Sequence, residues 1–394
     1  MTTEANTTLV DRAAPVTWTK PGRLLSLDLL RGLTIGFMIL VNNNGSSAAY
    51  GQLEHSAWNG FTLTDLVFPT FLFLVGVSTV FSTDSRLARG DSKRSLFLHT
   101  VRRAIILFLL GVFLNAFPHF DLHTLRVYGV LPRIAICYFV VATLYLISPK
   151  WRSKAVLAAG LLVGYWILMR FVPVPGYGVP GKDIPLLDPN RDLAALLDRQ
   201  IFSSSHLYRQ TRDPEGLLST LPAIATSLLG VLTGCWLRTR RPIAEKVRWL
   251  AIAGVSCVVL GQLWNISFPI NKNLWTSSFV LFTAGLGLLL LALFVWLFDS
   301  EKERKSGKRS VRFTPLLVFG SNAITAYVIA ELIGKSLGPI HVRPGVNVHE
   351  WVYLTILSVV PNAPFASLLY SLVFITVCWL PVYWLYRRKI FIKI

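Results

Sequence analysis

The chain has 394 residues, of which 53% are hydrophobic and only 15% charged, and its mean hydropathy is +0.54. Soluble domains carry about 25% charged residues, whereas this chain repeats apolar runs of about 20 residues, the length of a helix that crosses a bilayer. The composition therefore excludes a soluble protein, and the net charge of +19 does not indicate a nucleic-acid partner, because its position relative to the apolar runs matters more than its sum.

Ten apolar stretches predict ten transmembrane helices, because backbone polar groups in lipid must bond within their own segment. They cover residues 24–42, 62–82, 99–116, 127–147, 154–172, 218–237, 249–265, 275–298, 315–335 and 366–386. Residues 1–23 lack an apolar core and a cleavage site, so we expect the first span to remain as an anchor. The predicted fold class is an all-α polytopic membrane protein with about ten transmembrane helices, or eleven if 349–361 also crosses.

Lysine and arginine fall mainly on one side of these spans. The loops and tails on that side hold 27 of them, and the opposite loops hold 8. Because cytoplasmic loops carry the excess of positive charge, we expect both termini to be cytoplasmic. The polar segment LEHSAWNGFTLTDLVFP, residues 53–69, then lies on the outer side.

The predicted spans divide the chain into four parts. These are a cytoplasmic tail, 1–23; the first eight spans, 24–298; a basic cytoplasmic linker, 299–314; and the last two spans with a basic C-terminal tail, 315–394. Residues 173–217 form a long outer loop rich in Pro, Gly and Asp, which suits a lid or a partner surface. Residues 349–361 are too short to cross a bilayer and predict an interfacial or re-entrant helix.

Ionisable side chains within spans cost on the order of 2.5–3.5 kcal/mol each on insertion and so indicate functional sites. Asp28 and Arg31, in SLDLLRG, are three residues apart and share a helix face, where they can pair. Either this is a structural pair at the interface, or Arg31 faces a cytosolic anion such as a phosphate. Arg133 in the fourth span and Glu331 in the ninth also need partners, and each is a candidate partner of the other.

Further polar residues gather on the outer side, between the first two spans. Asn42 and Asn43, in VNNNGSS, end the first helix, where asparagine is also an ordinary cap. His55 follows, and Asp65 opens the second span on the same side. A carboxylate beside a histidine holds its tautomer and stabilises the imidazolium, which is the arrangement of a general base. The alternative is an ordinary histidine at the membrane interface.

The sequence contains no Walker motif, nucleophile elbow, dinucleotide-binding glycine pattern or zinc-binding HExxH. His119 and His123 have a spacing that suits a metal on a helix, but no third ligand is evident, so we expect no metal. The cysteines fall in apolar runs and are expected to be unpaired; they are Cys137, Cys235, Cys257 and Cys378. A polar outer cluster with a basic cytoplasmic rim suits a transporter, or an enzyme with its donor and acceptor on opposite sides.

Six blocks of sequence carry a family resemblance. They are SLDLLRGLTIGFMILVNN, LEHSAWNGFTLTDLVFPTFLFLVGVS, FDLHTLRVYGVLPRIAICYFVVA, DPEGLLSTLPAIATSLLGVLTG, FPINKNLWTSSFVLFTAG and GSNAITAYVIAEL. In this order the chain resembles the heparan-α-glucosaminide N-acetyltransferase family and its bacterial relatives. The resemblance implies transfer of an acetyl group from cytosolic acetyl-CoA to the amine of a terminal glucosamine-type sugar across the membrane.

The resemblance also implies site residues. His55, in EHSAWNG, matches the active histidine, and Asn42 matches the asparagine that follows the first helix. Catalytic roles are thus expected for His55 as base or acetyl carrier, for Asn42 as a donor to the developing oxyanion, and for Asp65 beside the histidine. The acceptor sugar, and the choice between a ternary complex and an acetyl-enzyme, stay open.

Acetyl-CoA is expected as co-substrate, with its nucleotide end on the basic cytoplasmic rim. Arg31, Asp28, Arg133 and Asn43 are the residues predicted to bind it. The resemblance further implies a multi-pass protein of the bacterial inner membrane, a glycan acceptor and a homodimer. The alternative function is a transporter of amino sugars or related glycans that performs no acetyl transfer.

Overall fold

The structure is a computed structural model that describes residues 24–299 and 313–392, and these residues form thirteen α-helices and one small hairpin. The predicted tail 1–23 and most of the predicted linker 299–314 lie outside the described residues. The helices are α1 Leu25–Asn42, α2 Val67–Leu87, α3 Lys93–Ala116, α4 Val130–Ile147, α5 Trp151–Phe171, α6 Leu193–Ile201, α7 Thr220–Leu237, α8 Ile243–Asn265, α9 Ser277–Phe298, α10 Thr314–Ser321, α11 Ala323–Leu337, α12 Val348–Val359 and α13 Ala363–Arg387. The antiparallel strands β1 His341–Arg343 and β2 Val346–Asn347 form the hairpin.

The described helices confirm an all-α polytopic membrane protein. Nine of those in residues 24–299 and 313–392 are long and apolar enough to cross a membrane. Helices α10 and α11 meet the same criterion together, so the number is ten if this bent pair is one span. The segment expected to be too short to cross is α12, with 12 residues. The loops with few lysines and arginines follow the C-terminal ends of α1, α3, α5 and α8. We call the side of the bundle on which these helix ends lie the outer end.

The predicted ninth span, 315–335, is broken rather than continuous. Helices α10 and α11 meet at Asn322 with a bend of 88°. Arg31 donates to the carbonyl of Gly320, a backbone group at the break, at 3.3 Å, as a low-dielectric setting requires. The side-chain amide of Asn322 donates to the carbonyl of Ile390 at 3.2 Å and links the break to the end of the last helix. Apolar periodicity does not reveal such a break, because both halves remain apolar.

Glycines let the central helices α2 and α7 touch backbone to backbone. A methyl group at Gly76 would lie 2.0 Å from the carbonyl oxygen of Ser227, and one at Gly230 would lie 2.0 Å from that of Phe73. Small residues at helix crossings are the usual means of association in lipid, where apolar side chains gain little by meeting each other. This contact fixes α2, and with it the polar turn that precedes α2 at the outer end.

Candidate functional site at the outer end

The site begins with a buried carboxylate just before α2. Asp65 lies in a short 3-10 turn, Leu63–Leu66, and its side chain is fully buried. Its Oδ2 accepts from the backbone N–H groups of Ser56 and Thr62, each at 3.1 Å, and from the Thr62 hydroxyl at 3.1 Å. Bonds of this kind stabilise the charged form and fix the carboxylate in one orientation.

His55 binds the other oxygen of this carboxylate. Its Nδ1 lies 2.7 Å from Oδ1 of Asp65, while the imidazole side chain is 46% exposed. An ionised carboxylate accepts only, so Nδ1 carries the proton and Nε2 presents its lone pair. The predicted pairing of His55 with Asp65 is confirmed, and its geometry is that of an oriented general base.

Lys272, which sequence reasoning did not single out, completes the cluster. Its Nζ lies 2.9 Å from Nε2 and 3.1 Å from Nδ1 of His55. Burial lowers the pKa of the Lys272 ammonium, and the nearby Glu215 and Asp65 carboxylates oppose that shift. The signal in the sequence was weak: Lys272 is simply the one cation in the short outer loop 266–274.

The loop that carries Lys272 is docked on the loop that carries His55. Asn271, fully buried, donates from Nδ2 to Oδ1 of Asn59 at 3.0 Å, and Gly60 donates its backbone N–H to Ile270 at 2.8 Å. Asn271 also accepts the backbone N–H of Leu274 at 2.9 Å, which closes its own turn. The INKNLW block therefore positions a lysine against a histidine more than 200 residues earlier.

Below this loop lies a packed aromatic core. Trp275 is 1% exposed and stands edge-on to Phe68, with ring centroids 5.1 Å apart, and to Phe279, at 5.3 Å. Its Nε1 donates to the Thr226 hydroxyl at 3.1 Å. Trp275 thus separates the polar site from the middle of the bundle.

Arg133 lies beside Trp275 near the outer end of α4, with its guanidinium 5.2 Å from the ring centroid. It is 1% exposed, and its Nη2 donates to the Gly216 carbonyl at 3.1 Å and to the Ser219 hydroxyl. Its Nε and Nη1 have no hydrogen-bond partner among the described residues. The suggested pairing with Glu331 is wrong, because Glu331 faces Lys335 at 3.7 Å, one turn along α11.

A second ionic group fastens the long outer loop to the turn between α3 and α4. Arg126 binds Asp213 at 2.6 Å and Glu215 at 2.5 Å, and the Asp213 side chain is fully buried. Asp213 and Glu215 come just before Gly216 and Ser219, the partners of Arg133, in the chain. The outer loop is therefore part of the site's framework.

Asp28 and Arg31 lie toward the opposite, inner end of α1. Their predicted pairing is confirmed, with Nη1 of Arg31 3.3 Å from Oδ1 of Asp28. Nη2 of Arg31 also donates to the Ser78 hydroxyl on α2 at 2.7 Å. At 1.5 Å per residue, Arg31 is about 16 Å from Asn42 along the helix. The structure therefore divides the residues predicted to bind acetyl-CoA between two depths of the bundle.

Asn42 and Asn43 finish α1 at the outer end, as predicted, but they differ in their surroundings. Asn42 is exposed, and its side chain makes no hydrogen bond with the other described residues, so none joins it to His55. Asn43 donates from Nδ2 to the Ile39 carbonyl at 2.8 Å and accepts from Ser371 at its own carbonyl. Asn43 therefore serves the helix end, whereas the amide of Asn42 is open to a ligand.

Fold and site together define a polytopic α-helical membrane protein that holds a histidine against a buried carboxylate at its outer end. Residues 23–256 match the family model described as heparan-alpha-glucosaminide N-acetyltransferase, catalytic. The chain is 30% identical to the human heparan-alpha-glucosaminide N-acetyltransferase over 96% of its own length and 62% of that protein. It is 31% identical to the mouse protein of the same name over 79% of its length and 54% of that protein.

The chain belongs to the heparan-α-glucosaminide N-acetyltransferase family, because the family model covers more than half of it. It spans 62% and 54% of the length of the two curated relatives. The matched region contains His55, Asp65 and Arg133, while Lys272 lies beyond residue 256.

Proposed function

We propose that this protein transfers an acetyl group from acetyl-CoA, bound from the cytoplasmic side, to the amine of a terminal glucosamine-type sugar at the outer end. In a bacterial inner membrane the outer end would face the periplasm. One observation carries the proposal: an exposed imidazole whose Nδ1 lies 2.7 Å from a fully buried carboxylate, and whose Nε2 is left to accept a proton. The names of the two relatives support the class of reaction.

The proposed chemistry uses the exposed nitrogen of His55. A sugar ammonium must lose a proton before its nitrogen attacks the thioester carbon; Nε2 takes that proton, a step that typically contributes about 10²–10⁴-fold. Asp65 stabilises the resulting imidazolium. The freed amine forms the new C–N bond with the thioester carbon as the C–S bond breaks. The attacking nitrogen loses its second proton to the sulfur, so that CoA leaves as the thiol, and His55 then releases the first proton to solvent. The side chain of Asn42 is exposed at the same end and has no bond to another described residue, so it is available to donate to the carbonyl oxygen.

The acetyl group needs a route from the inner end to His55. We propose that this route passes Trp275 and Arg133, which lie next to each other below the outer site. Two nitrogens of the buried Arg133 guanidinium, Nε and Nη1, have no partner among the described residues, and buried donors are normally bonded. Carbonyl groups of a pantetheine arm are suitable acceptors for them. Because Trp275 is buried and packed against Phe68 and Phe279, it must move when the arm enters. Arg31 and Asp28 mark the inner end of this route.

The test uses the purified full chain in proteoliposomes, with glucosamine-terminated acceptors enclosed and labelled acetyl-CoA outside. Label on the enclosed sugar is expected for molecules whose cytoplasmic side faces outward. His55→Ala should lower the rate by at least about 10²-fold while acetyl-CoA still binds. His123→Ala, which alters an exposed histidine at the same end, is the matched control and should leave the rate unchanged.

The opposite outcome identifies a transporter. No labelled product with any acceptor, no acetyl-CoA binding, and sugar uptake that survives His55→Ala would overturn the proposed reaction. Label retained on the protein after removal of acetyl-CoA, and lost in His55→Ala, would instead indicate an acetyl-imidazole route.

A further inference from the structure

The position of Lys272 relative to the His55 ring is unusual for a simple hydrogen bond. Nζ is almost equally distant from the two ring nitrogens, at 2.9 and 3.1 Å. In the ring plane Cε1–H stands between those nitrogens, so an atom close to both must lie above the plane. The lone pair of Nε2 points along the plane, so Lys272 leaves that direction open to the amine of a substrate.

We propose that Lys272 is a catalytic residue of this site, whose ammonium stabilises the negative charge that develops on the thioester carbonyl oxygen. The inference rests on the proposed function. When an amine sits on the Nε2 lone pair, the carbon it attacks must lie about 3–3.5 Å from the amine nitrogen. The carbonyl oxygen of that carbon is then within reach of a cation held above the ring.

The surroundings of Lys272 suit this role. Its charged neighbours are His55 on the first outer loop, Asp65 before α2, Glu215 on the long outer loop and Arg133 on α4. Two carboxylates favour the ammonium, while burial and Arg133 disfavour it. A cation in a partly water-excluded site acts more strongly on a developing oxyanion than it would in water.

The experiment compares Lys272→Met, which keeps the length of the side chain, with Lys272→Arg, which keeps its charge. Lys182→Met, at an exposed lysine of the outer loop, is the control. Lys272→Met should lower kcat by about 10²–10³-fold, the loss seen when one oxyanion donor is removed, with little change in the KM for acetyl-CoA. Lys272→Arg should recover part of kcat.

Melting temperatures of the purified variants show whether each is folded. Wild-type kcat in a folded Lys272→Met protein would overturn this inference and leave the proposed reaction standing. If Lys272→Met does not fold, Lys272→Arg is the deciding variant. A Lys272→Arg protein with a wild-type melting temperature, but with a kcat as low as expected for Lys272→Met, also overturns the inference. A wild-type protein that acetylates no sugar overturns both proposals together.

Discussion

Oδ1 of Asp65 lies 2.7 Å from Nδ1 of His55, and Oδ2 of the same carboxylate accepts two backbone N–H groups of the His55 loop. Asp65→Asn keeps the shape but offers an amide, whose N–H donates to Nδ1 and forces the ring proton onto Nε2. We expect kcat to fall by about 10²–10⁴-fold with a nearly unchanged KM for acetyl-CoA. Asp121→Asn, at an exposed outer carboxylate, is the control. A raised KM with a normal kcat would contradict the assigned role.

Asn42 and Asn43 provide a matched pair, because they are neighbours with different surroundings. Asn42→Ala removes no hydrogen bond within the described residues, so we expect an unchanged melting temperature. If Asn42 donates to the oxyanion, kcat should fall by about 10²–10³-fold. Asn43→Ala removes the bond to the Ile39 carbonyl and should cost about 1 kcal/mol of stability instead. A normal kcat in Asn42→Ala would end its proposed role.

The spans and the His55–Asp65 pair could be predicted from the sequence for physical reasons. Hydropathy reveals membrane-crossing helices because backbone N–H and C=O groups in lipid must form hydrogen bonds within their own segment. Charge asymmetry between loops then places His55 and Asp65 at one end, and only ten residues separate them. A carboxylate at the start of a span turns inward rather than toward lipid, which brings it to the histidine.

Lys272 and the partners of Arg133 could not be predicted in the same way. Lys272 meets His55 across 217 residues, through a contact between two irregular loops that no periodicity encodes. Arg133 is bonded by a carbonyl and a hydroxyl of the long outer loop rather than by the acidic residue of another span. The break at Asn322 is set by contacts with α1 and with the chain near Ile390, which are tertiary.

Replacement of Arg126 should lower the free energy of unfolding far more than replacement of an exposed arginine at the same outer end. Arg126→Met leaves Asp213 fully buried without its cation, a loss of about 3–5 kcal/mol. Arg191→Met breaks an exposed pair with Asp188 and should leave the stability almost unchanged. Urea unfolding and limited proteolysis of residues 173–217 measure the two effects. Equal losses would mean that the Arg126 group does not anchor the outer loop.

Asp192 should make the stability of the outer loop fall as pH rises. Burial raises the pKa of Asp192 from its ordinary value of 3.8 to about 7. The folded state therefore holds this proton over a window in which the unfolded chain has lost it. The resulting stability is complete below 3.8 and is lost as pH rises to about 7.

Asp192→Asn keeps an oxygen for the backbone N–H of Ala195, which the aspartate accepts at 2.7 Å at the start of α6. We expect its melting temperature to exceed that of the wild type at about pH 8 and the difference to shrink toward about pH 4. Burial also raises the pKa of Asp198, to about 6, so part of the slope should remain in the variant. Parallel melting curves across this range would contradict the assignment.

Gly76 and Gly160 lie in membrane-spanning helices but differ in what a methyl group would meet. At Gly76 it would lie 2.0 Å from the Ser227 carbonyl oxygen, a backbone atom that cannot turn aside, whereas nothing lies within 4 Å at Gly160. Gly76→Ala must push α2 away from α7, which we expect to cost about 1–3 kcal/mol or more. Gly160→Ala should melt like the wild type.

The same displacement should reach the site, because Asp65 lies in the turn that leads directly into α2. Folded Gly76→Ala should therefore also lose kcat, while Gly160→Ala keeps it. Melting temperature and acetyl transfer measured on the same detergent preparations separate the two effects. If Gly76→Ala is less stable but retains full kcat, the close approach of α2 and α7 supports the fold without setting the position of Asp65 relative to His55.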